Sequence, residues 1–93
     1  MKESSSPPSE LSGLKNIGRV TERWLNAIGI ACEADLRRVG AVQAYRLIRG
    51  SGQAAPASLL YALQGALMDV HWSRLPAEIR ELLDRELARA DRL

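Results

Sequence analysis

Glycine and proline residues divide this 93-residue sequence into segments the length of short helices, and this punctuation constrains the fold more than any other feature. Within the segments the apolar residues are mainly leucine and alanine, which favour helices, and they recur at intervals of three and four. No segment alternates β-branched and polar residues as a half-buried strand does. The breaks fall at Gly18, Gly29, Gly40, Gly50, Gly52 and Pro76. The sequence therefore predicts an all-α fold, a compact bundle of five to six short helices.

Six helices fit between these breaks. Their predicted bounds are about residues 10–15, 19–28, 33–39, 42–49, 56–70 and 76 onward. The fifth carries the widest apolar stripe and is expected to be the most buried, and the sixth is expected to pack as an arm over the bundle. Helical spacing places Val20, Trp24 and Ala27/Ile28 on the inward face of the second helix. On the sixth helix the inward face is predicted to consist of Ile79, Leu82, Leu83 and Leu87. On the outer face of the sixth helix, Arg80 and Asp84 are expected to pair.

Length and composition indicate a single domain. With 46% hydrophobic and 26% charged residues, the chain has the ordinary balance of a globular protein. Residues 1–10 are polar and proline-bearing, which predicts a flexible leader before a domain at residues 11–93. No apolar stretch approaches the roughly 20 residues of a membrane span, and no secretory signal is present, so we expect a cytoplasmic protein without membrane contact. The single cysteine, Cys32, is expected to be a buried or half-buried apolar side chain.

Residues 14–30 resemble the helix-hairpin-helix motif, in which a short helix, a tight turn and a second helix follow one another directly. The turn of that family reads Leu-x-Gly-Ile-Gly, and here it reads Leu-Lys-Asn-Ile-Gly. Such a turn points successive N–H groups and the positive end of the second helix outward, where they can hold a phosphate. The candidate phosphate or DNA contacts are Lys15, Asn16, Gly18, Arg19 and Arg23.

Two interpretations of this hairpin stay open. Asn16 stands where the DNA-binding form has its first glycine; asparagine tolerates the left-handed conformation, so the turn is kept, but close approach of a phosphate is less favoured. The net charge of +2 does not by itself indicate nucleic acid, although residues 15–49 carry seven bases against three acids. The hairpin is therefore either a packing unit with solvated charges or a phosphate site.

A longer pattern covers most of the chain. It consists of LKNIG at residues 14–18, WLNAIGI at 24–30, DL at 35–36, GAVQAY at 40–45, LLYALQGAL at 59–67 and HWSRLP at 71–76. In order and spacing, these segments resemble the C-terminal domain of the TfoX/Sxy family of competence regulators, with agreement from about residue 11 to residue 83.

The resemblance implies a helical regulatory domain of bacterial proteins associated with activating DNA-uptake genes. It implies a protein partner, either the transcription machinery or the cyclic-AMP receptor protein. Members of the family commonly carry an additional N-terminal α/β domain, whereas only about nine polar residues precede the hairpin here. We therefore expect either a stand-alone member or a piece of a longer protein.

His71 and Trp72 are the most conspicuous pair outside the hairpin. A lone histidine without partners makes no metal site, so His71 is expected to be a structural hydrogen bonder. Trp72 either packs its ring on the bundle with its N–H bonded near the turn, or serves as an aromatic anchor for a partner. No catalytic motif, phosphate loop or metal-ligand spacing occurs, so we expect no enzymatic activity, metal or cofactor.

Three functions compete on these grounds. The leading hypothesis is a regulatory binding module that acts through protein contacts, with weak, non-specific DNA contact at the hairpin. The alternatives are a direct DNA-binding helix-hairpin-helix domain and a structural or dimerising helical domain.

Overall fold

This computed structural model describes residues 10–92, except for the side chains of Glu10 and Ser12. Within this range the chain forms five α-helices and two 3-10 helices joined by short connections. The helices are α1 (Arg19–Ala27), α2 (Glu33–Val39), α3 (Ala41–Gly50), α4 (Ser58–Met68) and α5 (Ala77–Asp91), with 3-10 helices at Glu10–Gly13 and Trp72–Arg74. No strand occurs between residues 10 and 92, so the predicted all-α fold is confirmed. In the same region, no helix has both the length and the hydrophobicity that a membrane crossing requires.

Residues with positive φ end the helices close to the predicted positions. Gly29 (φ +91°) follows α1, and Gly40 (φ +88°) separates α2 from α3. The fifth predicted helix, α4, begins at Ser58, two residues after Pro56. It ends at Met68, before Val70, because Asp69 adopts the left-handed conformation (φ +59°) and breaks the helical path.

Two short elements differ from the prediction. The helix expected at residues 10–15 is a 3-10 helix, Glu10–Gly13, and the sequence does not predict the 3-10 helix Trp72–Arg74. The second is supported by a side chain, since Nδ1 of His71 accepts a hydrogen bond from the N–H of Ser73 (3.2 Å). Apolar periodicity carries no signal for such a contact. The leader predicted for residues 1–10 lies outside the described residues except at Glu10, where the first 3-10 helix begins.

The helix α4 contains more buried core residues than any other helix, as its apolar stripe predicts. It packs against α2, α3, α5 and the 3-10 helix Trp72–Arg74. Leu63 is completely buried, and Ala66 is 3% exposed. Other fully buried side chains around it are Leu11, Leu25, Ile30, Leu36, Ile48 and Leu75. The half-buried Cys32 agrees with the prediction for that residue.

The predicted inward faces of α1 and α5 pack against the core at Trp24 and Ile28 in α1 and at Ile79, Leu83 and Leu87 in α5, but Val20 and Leu82 do not. Val20 in α1 is 51% exposed and Leu82 in α5 is 42% exposed, whereas Leu25 and Leu83 are 0% and 4% exposed. Successive residues on a helix are rotated by about 100°, so the choice between adjacent apolar residues decides which face is buried. In α1 the bundle buries Leu25, and this turns Val20 towards solvent.

The predicted ion pair between Arg80 and Asp84 is absent from α5, because both side chains have other partners. The hydroxyl of Tyr61 donates to Oδ1 of Asp84 (2.7 Å), and Nε of Arg80 donates to the carbonyl of Leu75 (3.3 Å). The bond to the carboxylate favours the protonated phenol and raises the pKa of Tyr61. This bond joins α4 to α5.

A second polar contact fixes the end of α5. Arg49 and Arg46 of α3 donate to the carboxylate of Asp91 at 3.2 Å and 3.1 Å. The hydrogen bond from Arg49, followed by that from Arg46, lowers the pKa of Asp91. The sixth predicted helix is therefore an arm over the bundle that is held by polar contacts at its middle, through Asp84, and at its C-terminal end, through Asp91.

The turn before α1 is tied to α4 by the side-chain amide of Asn16. Its Nδ2 donates to the carbonyls of Ala62 (3.2 Å) and Val70 (3.0 Å), and its Oδ1 accepts from the N–H of Trp72 (3.1 Å). Gly65 provides the space for this amide. A Cβ at Gly65 would lie 2.6 Å from Nδ2 of Asn16 and 2.6 Å from the carbonyl oxygen of Val70.

We expect Gly65→Ala to lower the free energy of unfolding by about 2 kcal/mol or more, because the added methyl group overlaps main chain and displaces the Asn16 amide. This loss runs against helix propensity, which favours alanine over glycine by about 1 kcal/mol. Gly50→Ala is the matched control, since a Cβ at this helical glycine meets no atom within 4 Å. Urea unfolding should show Gly50→Ala unchanged or slightly more stable. Equal stability of the two variants would contradict the close approach at Gly65.

Candidate interaction surface

The hairpin turn gets its left-handed bend from Asn16, whose φ is +70°. The prediction that asparagine preserves the turn is confirmed. Gly18 follows in an extended conformation (φ −93°, ψ −174°) and is exposed. Its carbonyl accepts from the N–H of Glu22 (2.9 Å), which forms the first turn of α1. The turn therefore places the first residues of α1 at the surface, where they are exposed to solvent.

The proposed phosphate contacts differ in what the structure leaves available. Nζ of Lys15 is 3.6 Å from Oδ1 of Asp69, an exposed ion pair of small energetic value. The amide of Asn16 is bonded inside the fold, so this side chain is not available to a phosphate. Arg19 and Arg23 are exposed one turn apart on α1, and neither forms an ion pair with another residue between 10 and 92. The hairpin thus presents two arginines to solvent.

Trp72 follows α4 and begins the second 3-10 helix. Its main chain is fixed by a hydrogen bond, and its ring lies at the surface. The main-chain N–H is the group bonded to Asn16, so the hydrogen bond expected near the turn does not involve the indole. The ring lies beside that of His71, with centroids 5.8 Å apart, and the residue is 41% exposed. Partial exposure of a positioned aromatic ring is the arrangement that a partner anchor requires.

A surface depression of about 290 Å³ joins Trp72 to α1 and to the start of α4. None of its eight lining residues is charged. Six of them are apolar: Val20, Trp24, Pro56, Leu59, Ala62 and Trp72. We call this depression the tryptophan groove. Leu59 and Ala62 are buried, whereas Val20 and Trp72 are among the most exposed large apolar residues of the described chain.

Sequence reasoning identified one wall of this groove and missed the other. The sequence indicates Trp72 as a candidate anchor, but the spacing of Val20 from Trp24 predicts a core position for Val20. The two tryptophans lie 48 positions apart in the sequence, and both line the groove. The sequence signal for their proximity is Gly65 inside an apolar helix, because such a glycine indicates a close approach, here by Asn16 of the hairpin turn.

Acidic and metal-ligating side chains do not gather at the groove. Across the described residues, no group of three or more His, Cys, Asp or Glu is placed to hold a metal ion. The side chains present at the groove offer apolar contact, and the hydroxyls of Thr21 and Ser58 offer hydrogen bonds. This chemistry suits a protein segment.

Comparison with known proteins finds a matching family and crystal structures of similar proteins. The family model described as the TfoX C-terminal domain matches residues 7–87. A crystal structure of an uncharacterized protein from Listeria monocytogenes, in a triclinic form, is 32% identical, with a TM-score of 0.78 over 87% of this chain and 92% of that chain. A tetragonal crystal form of a protein of unknown function from the same organism is 33% identical, with a TM-score of 0.71 over 81% of this chain and 93% of that chain. No curated protein matches.

Proposed function

This chain belongs to the TfoX C-terminal domain family, and we propose that it is a non-enzymatic regulatory module that acts by binding another protein in the tryptophan groove. The observation that carries the proposal is the exposure of Val20 (51%) and Trp72 (41%) on an uncharged depression. Aromatic and aliphatic side chains gathered around a depression are typical of the anchor sites that dominate binding energy.

The resemblance to the TfoX/Sxy competence regulators supports a choice of partner. On that basis the partner is a component of the transcription machinery or the cyclic-AMP receptor protein, encountered in the cytoplasm. The groove would supply the contact, and the regulatory effect would follow from joining the two proteins.

A second function, contact with DNA at the hairpin, is favoured by the two exposed arginines of α1. Arg19 and Arg23 stand one turn apart at the start of a helix, where a phosphate backbone can be followed without reading bases. Two cations supply few phosphate contacts, and the Asn16 amide supplies none from its side chain. We therefore propose DNA contact as weak and non-specific.

For the protein-binding function we expect Trp72→Ser and Val20→Ser to weaken binding of purified cyclic-AMP receptor protein by about 10-fold or more, as hot-spot truncations do. Leu82→Ser is the control, because Leu82 on α5 is about as exposed (42%) as Trp72 (41%) and does not line the groove. Titration calorimetry measures the affinities, and far-UV circular dichroism checks that each variant is folded. The proposal fails if the wild-type chain does not bind this partner or RNA polymerase, or if Leu82→Ser weakens binding as much as Trp72→Ser.

For the DNA contact we expect fluorescence anisotropy with a random duplex to detect weak binding that decreases steeply with salt. The double variant Arg19→Glu/Arg23→Glu should abolish it. Arg85→Glu/Arg89→Glu makes the same change in charge at the same spacing on α5 and should reduce binding much less. Equal effects of the two double variants, or no binding by the wild type at low salt, would remove the hairpin as a DNA contact.

A further inference from the structure

The tryptophan groove continues over α1 into a second depression of about 640 Å³. Val20 and Trp24 line both, so they form a ridge shared by the two depressions. Beyond this ridge the lining becomes polar, with Arg23, Asn26 and Gln53 at the surface. The combined surface therefore has an apolar end at Trp72 and a hydrogen-bonding end at Arg23.

The charge of this combined surface is positive only. Arg23 is the single charged residue that lines either depression, and no acid lines them. Arg19 is exposed immediately before Val20 and adds to the same sign. Since Arg23 has no ion pair with another residue in the described range, its guanidinium retains its donors for a ligand.

Resting on the proposed protein-binding function, we propose that the occupant is an acidic–apolar segment of the partner. An aromatic or aliphatic side chain fills the space between Trp24 and Trp72, and an Asp or Glu of the same segment binds Arg23. The guanidinium and the amides of Asn26 and Gln53 donate hydrogen bonds, and a carboxylate accepts them. A basic segment is rejected by the same two arginines.

The volume of the tryptophan groove limits how many apolar side chains of the partner it can hold. About 290 Å³ is at the lower limit of small-molecule pockets, which fits one or two side chains. The position of Trp72 depends on its main-chain bond to Asn16, so the hairpin turn is a positioning element for this surface. Because Arg23 is adjacent to Trp24 in α1, the partner segment needs one or two apolar anchors and a carboxylate close to them in its sequence.

A phage-displayed library of random 12-residue peptides, selected on the full chain, tests this proposal. The selected peptides should share an apolar anchor with Asp or Glu within four positions. For a selected peptide, Arg23→Glu should lower the affinity at least 10-fold, and changing the peptide carboxylate to lysine should restore binding to Arg23→Glu but not to wild type. Arg85→Glu is the control, with the same change of charge on α5, and should alter the affinity less than two-fold.

The outcomes separate this inference from the function it rests on. If peptides bind, Trp72→Ser abolishes binding and Arg23→Glu has no effect, the acidic partner is wrong and the groove function stands. If neither Trp72→Ser nor Val20→Ser affects binding of the selected peptides, both are wrong. If no peptide is selected, the acidic segment is wrong, and the titration with the purified partner decides the groove function separately. Light scattering that detects a dimer of the wild type and a monomer of Trp72→Ser would identify a second copy of this chain as the occupant and would overturn the acidic segment.

Discussion

The side-chain amide of Asn16 is the interaction on which the rest of this structure depends. It bonds three main-chain groups that are 46, 54 and 56 positions away in the sequence, and so joins the hairpin turn to α4 and to the segment that carries Trp72. An amide is suited to this task because it offers two donors and an acceptor on one rigid plane. The left-handed φ of +70° aims it at α4. A residue that replaces a motif glycine thus becomes the connection between distant parts of the fold.

That connection requires complementary features in α4. Gly65 leaves space beside the amide, and the carbonyl of Gly65 accepts the N–H of Val70 (2.9 Å) where the helix ends. The left-handed Asp69 then reverses the chain, so that the carbonyl of Val70 and the N–H of Trp72 both meet Asn16. The same contacts that stabilise the end of α4 fix the main chain at Trp72, which lines the tryptophan groove together with Val20, so the stability of the fold and the shape of this groove are linked.

The sequence predicts the helices better than it predicts the surface. Local signals sufficed for the bounds of α2 and for the stops at Gly29 and Gly40, because propensity and positive φ act within a few residues. The predicted placement of Val20 in the core was wrong, because the rotation of a helix is decided by its neighbours in the bundle. The tryptophan groove could not be predicted from the sequence for the same reason, although Gly65 inside an apolar helix indicates a close approach.

Unfolding free energies of Asn16→Gly and Asn16→Asp test the central claim most directly. Glycine keeps the left-handed turn and removes the amide, so we expect a loss of about 1–3 kcal/mol. Aspartate keeps the size but sets a carboxylate against the carbonyls of Ala62 and Val70, so we expect a larger loss in urea unfolding at pH 7. If both variants remain within about 0.5 kcal/mol of the wild type, the level of ordinary surface substitutions, Asn16 does not hold the fold together.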